Sequence, residues 1–466
     1  MDKNPAGLTS YAGAPLFVET ALALGLPALI QGALGAKWGN RKGYSVIDLT
    51  MATLVGVVAG AKDIADVATI GQDKGLLALL GLKAWPSKSV LKRFLYWFHN
   101  LAKWQGGIKG QALLPPESAP LRALFGINRQ LILAIQERRP FERATIDIDA
   151  TIIESAKVEA LPHYDGGRGY QPWIAYCPEM GVVLRDEFRE GNVPAAMGAK
   201  NQIRRAVLAL PSTVKSISVR GDTAMYSPSA FTWMDHRDIK FGISAKMCTD
   251  LRAAIEKLSA SKWSRLRQIT PWGLFPTDLE IAEVEFVSNA MATSKKGRPF
   301  RFIAARRVED QAQLFGRSGK VLDENGRRWY LAIVTNNWDD TAEHVWNWSR
   351  ERCGSVERAH AEIKNDLAGG VLPCGRFQSN AAWFRFNILA YNLLAAMKLL
   401  ALPKPMENMR PATIRFRLIN LAGRIIRGAR TLTLRLPWLP HLVDIYREAR
   451  EKLWNPRTSR PANAIT

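Results

Sequence analysis

From Ala144 to Ala245 the apolar residues switch repeatedly between a period of two and a period of three to four, and the order of those switches limits the chain to few folds. Ala144-Thr-Ile-Asp-Ile-Asp149 sets Ile146 and Ile148 against Thr145, Asp147 and Asp149, the alternation of a half-buried strand. Trp173–Cys177 and Val182–Phe188 flank Pro178-Glu-Met-Gly181, a hairpin with turn residues at its centre. Residues 195–210 then carry Ile203, Ala206, Val207 and Leu210 at helical spacing. Ile217-Ser-Val-Arg-Gly-Asp222 is a β-branched run that stops at glycine, leaving its carboxylate where a strand becomes a loop. A helix near Ser227 to Asp235 and a strand at Ile239–Ala245 complete the series.

Three strands, helix, strand, helix, strand is the element order of an RNase H-like core, an α/β fold whose first and fourth strands end side by side. Asp149 and Asp222 are therefore expected to meet. A third acid, Glu357, lies in Ser355-Val-Glu-Arg-Ala-His-Ala-Glu-Ile-Lys364, a stretch without β alternation that reads as helix from about Ser355. Seven residues are nearly two turns, so Glu357 and Lys364 share a face, as does Arg350 if the helix begins early enough. The segment between Asp222 and Glu357 exceeds what that core needs. Its alternating stretches 281–287, 300–306 and 328–334 indicate an inserted β-rich subdomain. The expected organisation is a helical DNA-binding or dimerisation region over 1–140, core over 141–255 and 341–402, insertion over 256–340, and a basic helical region over 403–466.

Three carboxylates on such elements suit Mg²⁺ or Mn²⁺, hard cations that take oxygen ligands and leave positions for phosphate oxygens. Two such ions roughly 4 Å apart activate an attacking oxygen and stabilise a leaving one. Taken singly, each acid has an ordinary structural reading: Asp147 and Asp149 as solvated strand acids, Asp222 as a turn residue, Glu357 as a helix-surface glutamate. Element order and common chemistry set these three apart.

The chain resembles bacterial insertion-sequence transposases with an RNase H-like DDE domain, whose third acid sits in a Tyr-Arg-Glu-Lys signature helix. The matching residues are Asp147-Ile-Asp149-Ala-Thr151, Gly169-Tyr-Gln-Pro172, Gly191-Asn192, Arg220-Gly-Asp222, Glu357 with Lys364, and Asn380 to Asn392. The resemblance implies catalysis and metal binding by Asp149, Asp222 and Glu357, two Mg²⁺ ions with Mn²⁺ able to substitute, and cut-and-paste cleavage and joining of mobile-element ends. It implies double-stranded DNA as partner, a homodimer on that DNA, phosphate contacts from Arg350 and Lys364, and a bacterial cytoplasmic, nucleoid-associated setting. The sequence departs from the signature where Arg and Tyr are expected; Cys353 and Arg350 stand there, and Arg350 or Arg352 would replace the missing basic group. A nuclease of the same fold without strand transfer, or a DNA-binding protein whose centre has decayed, is the alternative.

Charge agrees with a polyanionic partner: 64 Lys and Arg oppose 42 Asp and Glu, for a net charge of +22. Leu76 to Leu82, a Pro-Ser turn and a helix bearing Lys88, Lys92 and Arg93 suggest a helix-turn-helix, although Phe94, Leu95 and Phe98 make much of that helix core. Lys295, Lys296 and Arg298 form a cationic loop tip, and Trp329 is a candidate to stack on a displaced base. Past Pro403, the apolar stripe Leu418, Ile419, Leu421, Ile425 and Ile426 predicts a helix with a cationic far side. The apolar stretch 381–402 carries Arg385, Asn387, Asn392 and Lys398, so it is expected to be a buried helix rather than a membrane span. No secretory signal and no membrane partner are expected, and the four cysteines show no metal-binding spacing.

Overall fold

Among the described residues nine strands form one mixed sheet, and the alternating segments of the sequence supply most of them. The computed structural model describes residues 7–39, 43–104, 106–114, 116–270, 273–288, 299–308, 329–428, 431–436 and 440–455. The strands of the sheet are β1 (Arg143–Ala150), β2 (Trp173–Cys177), β3 (Val182–Glu187), β4 (Ser216–Gly221), β5 (Lys240–Ser244), β6 (Ser264–Thr270), β7 (Gly273–Val284), β8 (Arg301–Arg307) and β9 (Tyr330–Thr335). Their order across the sheet is β6-β7-β8-β9-β5-β4-β1-β2-β3. β1 pairs antiparallel with β2 and parallel with β4, and β4 pairs parallel with β5. The hairpin β2–β3 follows from its Pro-Glu-Met-Gly turn, where Gly181 takes φ 65°, a left-handed conformation that glycine adopts without steric cost. The parallel pairs need crossovers, supplied by α4 (Ala199–Ala209) and α5 (Pro228–Asp235).

The alternating segments within 256–340 form strands that pair successively outward from β5 and so continue the same sheet. β6 joins this edge although the sequence reading assigned it no strand. Lys295, Lys296 and Arg298 lie outside the described residues.

Helices α1 (Val46–Ala59), α2 (Lys88–Trp97), α3 (Ala119–Arg138) and α8 (Phe377–Leu400) form the helical body beside the sheet. α1 begins with a capping box in which Ser45 and Asp48 exchange hydrogen bonds between side chain and backbone. α8 is buried from Phe377 to Met397 and packs on α3, α1, α2 and β3. Its asparagines are engaged: Asn392 bonds Val183 N at 2.8 Å and Asn128 at 2.7 Å, and Asn387 accepts from Ala368 N at 2.8 Å. Arg385 is 1% exposed and binds Asp186 at 2.7 Å, Glu117 at 2.8 Å and the Leu121 carbonyl at 2.6 Å. Among the described residues no single helix is long and apolar enough to cross a membrane, while the bent pair Ala14–Ala23 and Leu26–Trp38 passes that test only jointly.

The C-terminal region corrects the expectation of a helix carrying one apolar stripe. Pro411–Ile414 is helical and widens into a π turn at Arg415–Ile419, but Gly423–Arg427 and Leu432–Arg435 are paired strands. The chain's own beginning, Leu8–Thr9, joins that pair. Asn420 leaves the helical conformation to donate to the Ala59 carbonyl at 2.9 Å, and Gly423 lies where a Cβ would come within 2.6 Å of Ala12. Helix returns only at Pro440–Trp454.

Replacing Arg385 by Met would leave Asp186 buried and Glu117 half-buried without their cation. The expected cost is about 3–5 kcal/mol, read from urea unfolding of the variant against the wild type; a loss below about 1 kcal/mol would show that the carboxylates find other partners.

Candidate functional site

Parallel pairing of β1 and β4 sets Asp147 beside Arg220 and Ile148 beside Gly221, so the strands end together and Asp149 and Asp222 follow on neighbouring tracks. Adjacent strands lie about 4.8 Å apart, which places both carboxylates at one edge of the sheet. Asp222 caps the short turn Thr223–Met225 and accepts from Ala224 N at 3.0 Å. The glycine before it is needed for close packing: a Cβ on Gly221 would meet Met225 at 2.8 Å and Ile243 at 3.0 Å.

Glu357 is carried by α7 (Arg352–Ala361), which packs on β1 and β2. α7 follows α6 (Ala342–Arg350) across a break at Glu351 and passes into a π turn over Glu362–Asp366. These interruptions separate Arg350 from the continuous helix that a seven-residue spacing would need. Arg350 is exposed at the end of α6, and the basic group at the acids is Arg352, whose Nη1 lies 3.6 Å from an Asp149 oxygen. Lys364 turns toward the same strand end, donating to the Ile152 carbonyl at 2.7 Å and Thr151 Oγ1 at 3.2 Å. Burial pulls its ammonium below the usual lysine range, against the opposing pull of Glu154.

Asp149 is the most perturbed acid of the three. Burial pushes its carboxyl up to about 6, with Asp222 and Glu357 adding repulsion and with Arg352 and the Ala150 N–H opposing. The three acids thus share one local field although their elements are far apart in sequence. Asp147 is different: it is fully buried, and its carboxylate accepts from Arg220 Nε at 2.6 Å, Arg220 Nη2 at 2.9 Å and the Ser355 hydroxyl. Those bonds occupy both of its oxygens, so it holds structure rather than offering a ligand. His360, one turn beyond Glu357, is buried and held neutral, its imidazole driven down to about 3 by that burial.

The donor set fits a hard divalent cation in kind, since Asp149, Asp222 and Glu357 supply only anionic oxygens; the Asp149 carboxyl is raised first by burial and then by repulsion from the other two acids, whose charge a cation would offset. Arg352 does not offset it fully, because its buried Nη1 reaches no hydrogen-bond acceptor. Among the described residues no three His, Cys, Asp or Glu side chains stand together at ligand spacing. Glu357 is exposed on α7.

Lys88, Lys92, Arg93 and Trp329 are carried outside β1, β4 and α7. Lys88, Lys92 and Arg93 are exposed on α2 while Leu91, Phe94 and Leu95 of the same helix are core. Lys92 Nζ lies 5.5 Å above the Tyr96 ring, and the Arg376 guanidinium covers that ring at 4.1 Å. Trp329 is half-buried with the Arg307 guanidinium 5.2 Å from its ring. The sequence assigns no role to Arg220 or Ser355, although Arg220 stands in the matched stretch Arg220-Gly-Asp222. The available signal was a basic residue and a hydroxyl, each two positions before a candidate acid.

The sign of the Asp149 shift gives a pH dependence for the protein without metal. Its folded value lies above the unfolded one near 3.8, so its contribution to stability is full below that value and is lost as pH rises through about 6. Asp149→Asn should therefore stabilise the chelator-treated protein at pH 8 by roughly 2–3 kcal/mol and leave it little changed near pH 3.5. Thermal unfolding at both pH values checks this; the same gain at each would remove the carboxylate charge as its cause.

A family model described as Transposase DDE domain group 1 matches residues 2–458. Curated protein sequences offer no match to the chain. Among solved structures, a cryo-EM structure of the piggyBac transposase synaptic complex with hairpin DNA is similar over 96% of this chain and 83% of that chain, at 9% identity and a TM-score of 0.45. With a family match spanning nearly its whole length, the chain belongs to the DDE transposase family and is a transposase enzyme.

Proposed function

We propose that this protein is a cut-and-paste DNA transposase with an RNase H-like core, of the bacterial insertion-sequence class with a Tyr-Arg-Glu-Lys type signature helix. The observation that carries the reading is the convergence of Asp149 and Asp222 at the ends of paired parallel strands, with Glu357 in the same field. In this reading β1 to β5 with α7 and α8 are the core, and β6 to β9 are the insertion that extends it.

Asp149, Asp222 and Glu357 would hold two Mg²⁺ or Mn²⁺ ions, which when bound supply Lewis acidity to the attacking and leaving oxygens of an in-line displacement. The first reaction is hydrolysis at the element's end: water forms a bond to phosphorus, the P–O3′ bond breaks, and a 3′ hydroxyl is freed. In the second, that hydroxyl attacks another phosphodiester and displaces its 3′ oxygen. Arg352 lies 3.6 Å from Asp149 and Lys364 bonds the backbone just past it, so phosphate entering here would meet a bidentate fork and a point charge. Partial burial keeps Lys364 less hydrated than a surface lysine, which strengthens its attraction for a phosphate oxygen.

Double-stranded DNA is the partner this reading requires, and joining two ends at once calls for a homodimer on that DNA. The net charge of +22 suits this partner, and Lys88, Lys92 and Arg93 present exposed cations to its backbone. A bacterial cytoplasm, with the protein on the nucleoid, is the proposed setting.

The test is cleavage and strand transfer with purified protein, the element's own ends and Mg²⁺. Asp149→Ala, Asp222→Ala and Glu357→Ala are each expected to lose about 100-fold or more in both reactions while still shifting end DNA on gels. Near-normal activity in these variants would refute the site. Wild-type cutting of generic DNA without joining would instead identify a nuclease, and an inert but DNA-binding wild type a decayed centre.

A further inference from the structure

Two positions before each of the three acids stands one member of a single buried network. Asp147 precedes Asp149 on β1, Arg220 precedes Asp222 at the end of β4, and Ser355 precedes Glu357 on α7. Arg220 grips Asp147 with two hydrogen bonds, and the Ser355 hydroxyl donates to that same carboxylate. The remaining guanidinium nitrogen of Arg220 donates to the Trp348 carbonyl at 2.6 Å and the Glu351 carboxylate at 2.7 Å, at the joint between α6 and α7. The Trp348 ring lies 5.5 Å from the guanidinium. The side chains of Asp147 and Arg220 are 0% and 3% exposed.

We propose that Arg220 is a positioning residue: with Asp147 and Ser355 it fixes the spacing of the three acid-bearing elements and so sets the affinity of the site for divalent cations. This rests on the metal-dependent reading above and adds a determinant that the acids alone do not supply. A buried ion pair is weak evidence of stabilisation for its own sake, because an apolar set of the same volume is often as stable. What an apolar set lacks is direction. A guanidinium–carboxylate fork fixes distance and angle together, and the third nitrogen carries that constraint from the sheet to the α6–α7 joint. Arg220 and Asp147 are direct register partners on the parallel strands, so the fork sets the relative position of the two strands immediately before their acids emerge. Ser355 adds the helix. Asp149 and Asp222 repel each other, and a looser frame would let them separate.

Direct Mn²⁺ titration by calorimetry tests this on the full chain, independently of turnover. Ser355→Ala and Arg220→Lys, the latter keeping the charge but losing the fork, should weaken Mn²⁺ binding by about 10-fold. They should also raise the Mg²⁺ needed for half-maximal cleavage by a similar factor, with metal-free DNA binding unchanged. Ser355→Thr keeps the hydroxyl and should restore wild-type binding. Circular dichroism identifies the folded variants, and if Arg220→Lys does not fold, Ser355→Ala decides. Folded variants that titrate as wild type would overturn the proposal, as would a Ser355→Thr protein no better than Ser355→Ala. A wild type that binds no Mn²⁺ would instead bring down the metal-dependent reading itself.

Discussion

Parallel hydrogen bonding between β1 and β4 is the constraint from which the site follows. It makes strands far apart in the sequence end at the same edge of the sheet, and only then can Asp149 and Asp222 share a field. A slip of one residue in this register would turn one strand's side chains to the opposite face and separate the acids. Register here is held by the apolar face, where Ile146, Ile148 and Val219 are wholly buried, and by the Asp147–Arg220 fork on polar side chains of the same pair.

Around this edge the chain accepts several costly arrangements. Asp149 is partly buried beside other acids, Lys364 is partly desolvated, and His360 is kept neutral inside α7. Such groups are concentrated where a fold is arranged for chemistry rather than for its own stability. The helical body is built differently. α8 buries polar side chains too, but Arg385, Asn387 and Asn392 have direct partners that bind the helix to β3, α3 and the loop before it. Its polar residues act as internal fasteners, and the acids at the sheet edge are left with charge to be compensated.

Periodicity made the central strands legible. β1, the β2–β3 hairpin, β4 and β5 each have a local apolar pattern with its own turn residues, and the structure places them at or near those positions. The acids were legible because strand ends and one helix left few places for them. Local pattern failed where a distant partner decides. Leu421, Ile425 and Ile426 fit a helical stripe, yet Gly423–Arg427 is a strand held between Leu432–Arg435 on one side and Leu8–Thr9, far away in the sequence, on the other. β6 was missed for a different reason: it pairs with the adjacent β7 as a hairpin, but its sparse apolar residues do not announce a strand.

The same division holds within the site. Residue identity and spacing were sufficient to nominate Asp149, Asp222, Glu357 and Lys364, since carboxylates and a lysine on those elements have few other collective explanations. Neither identity nor spacing could choose between Arg350 and Arg352, because that choice depends on a helix break at Glu351. Nor could they show that Asp147 is spent on Arg220 and Ser355 while Asp149, two residues on, remains available. Sequence by itself determined the central strands and the residues offered for chemistry, because both follow from local periodicity and side-chain type. Tertiary structure decided which charge meets which, because pairing depends on register and packing between segments that have no local knowledge of each other.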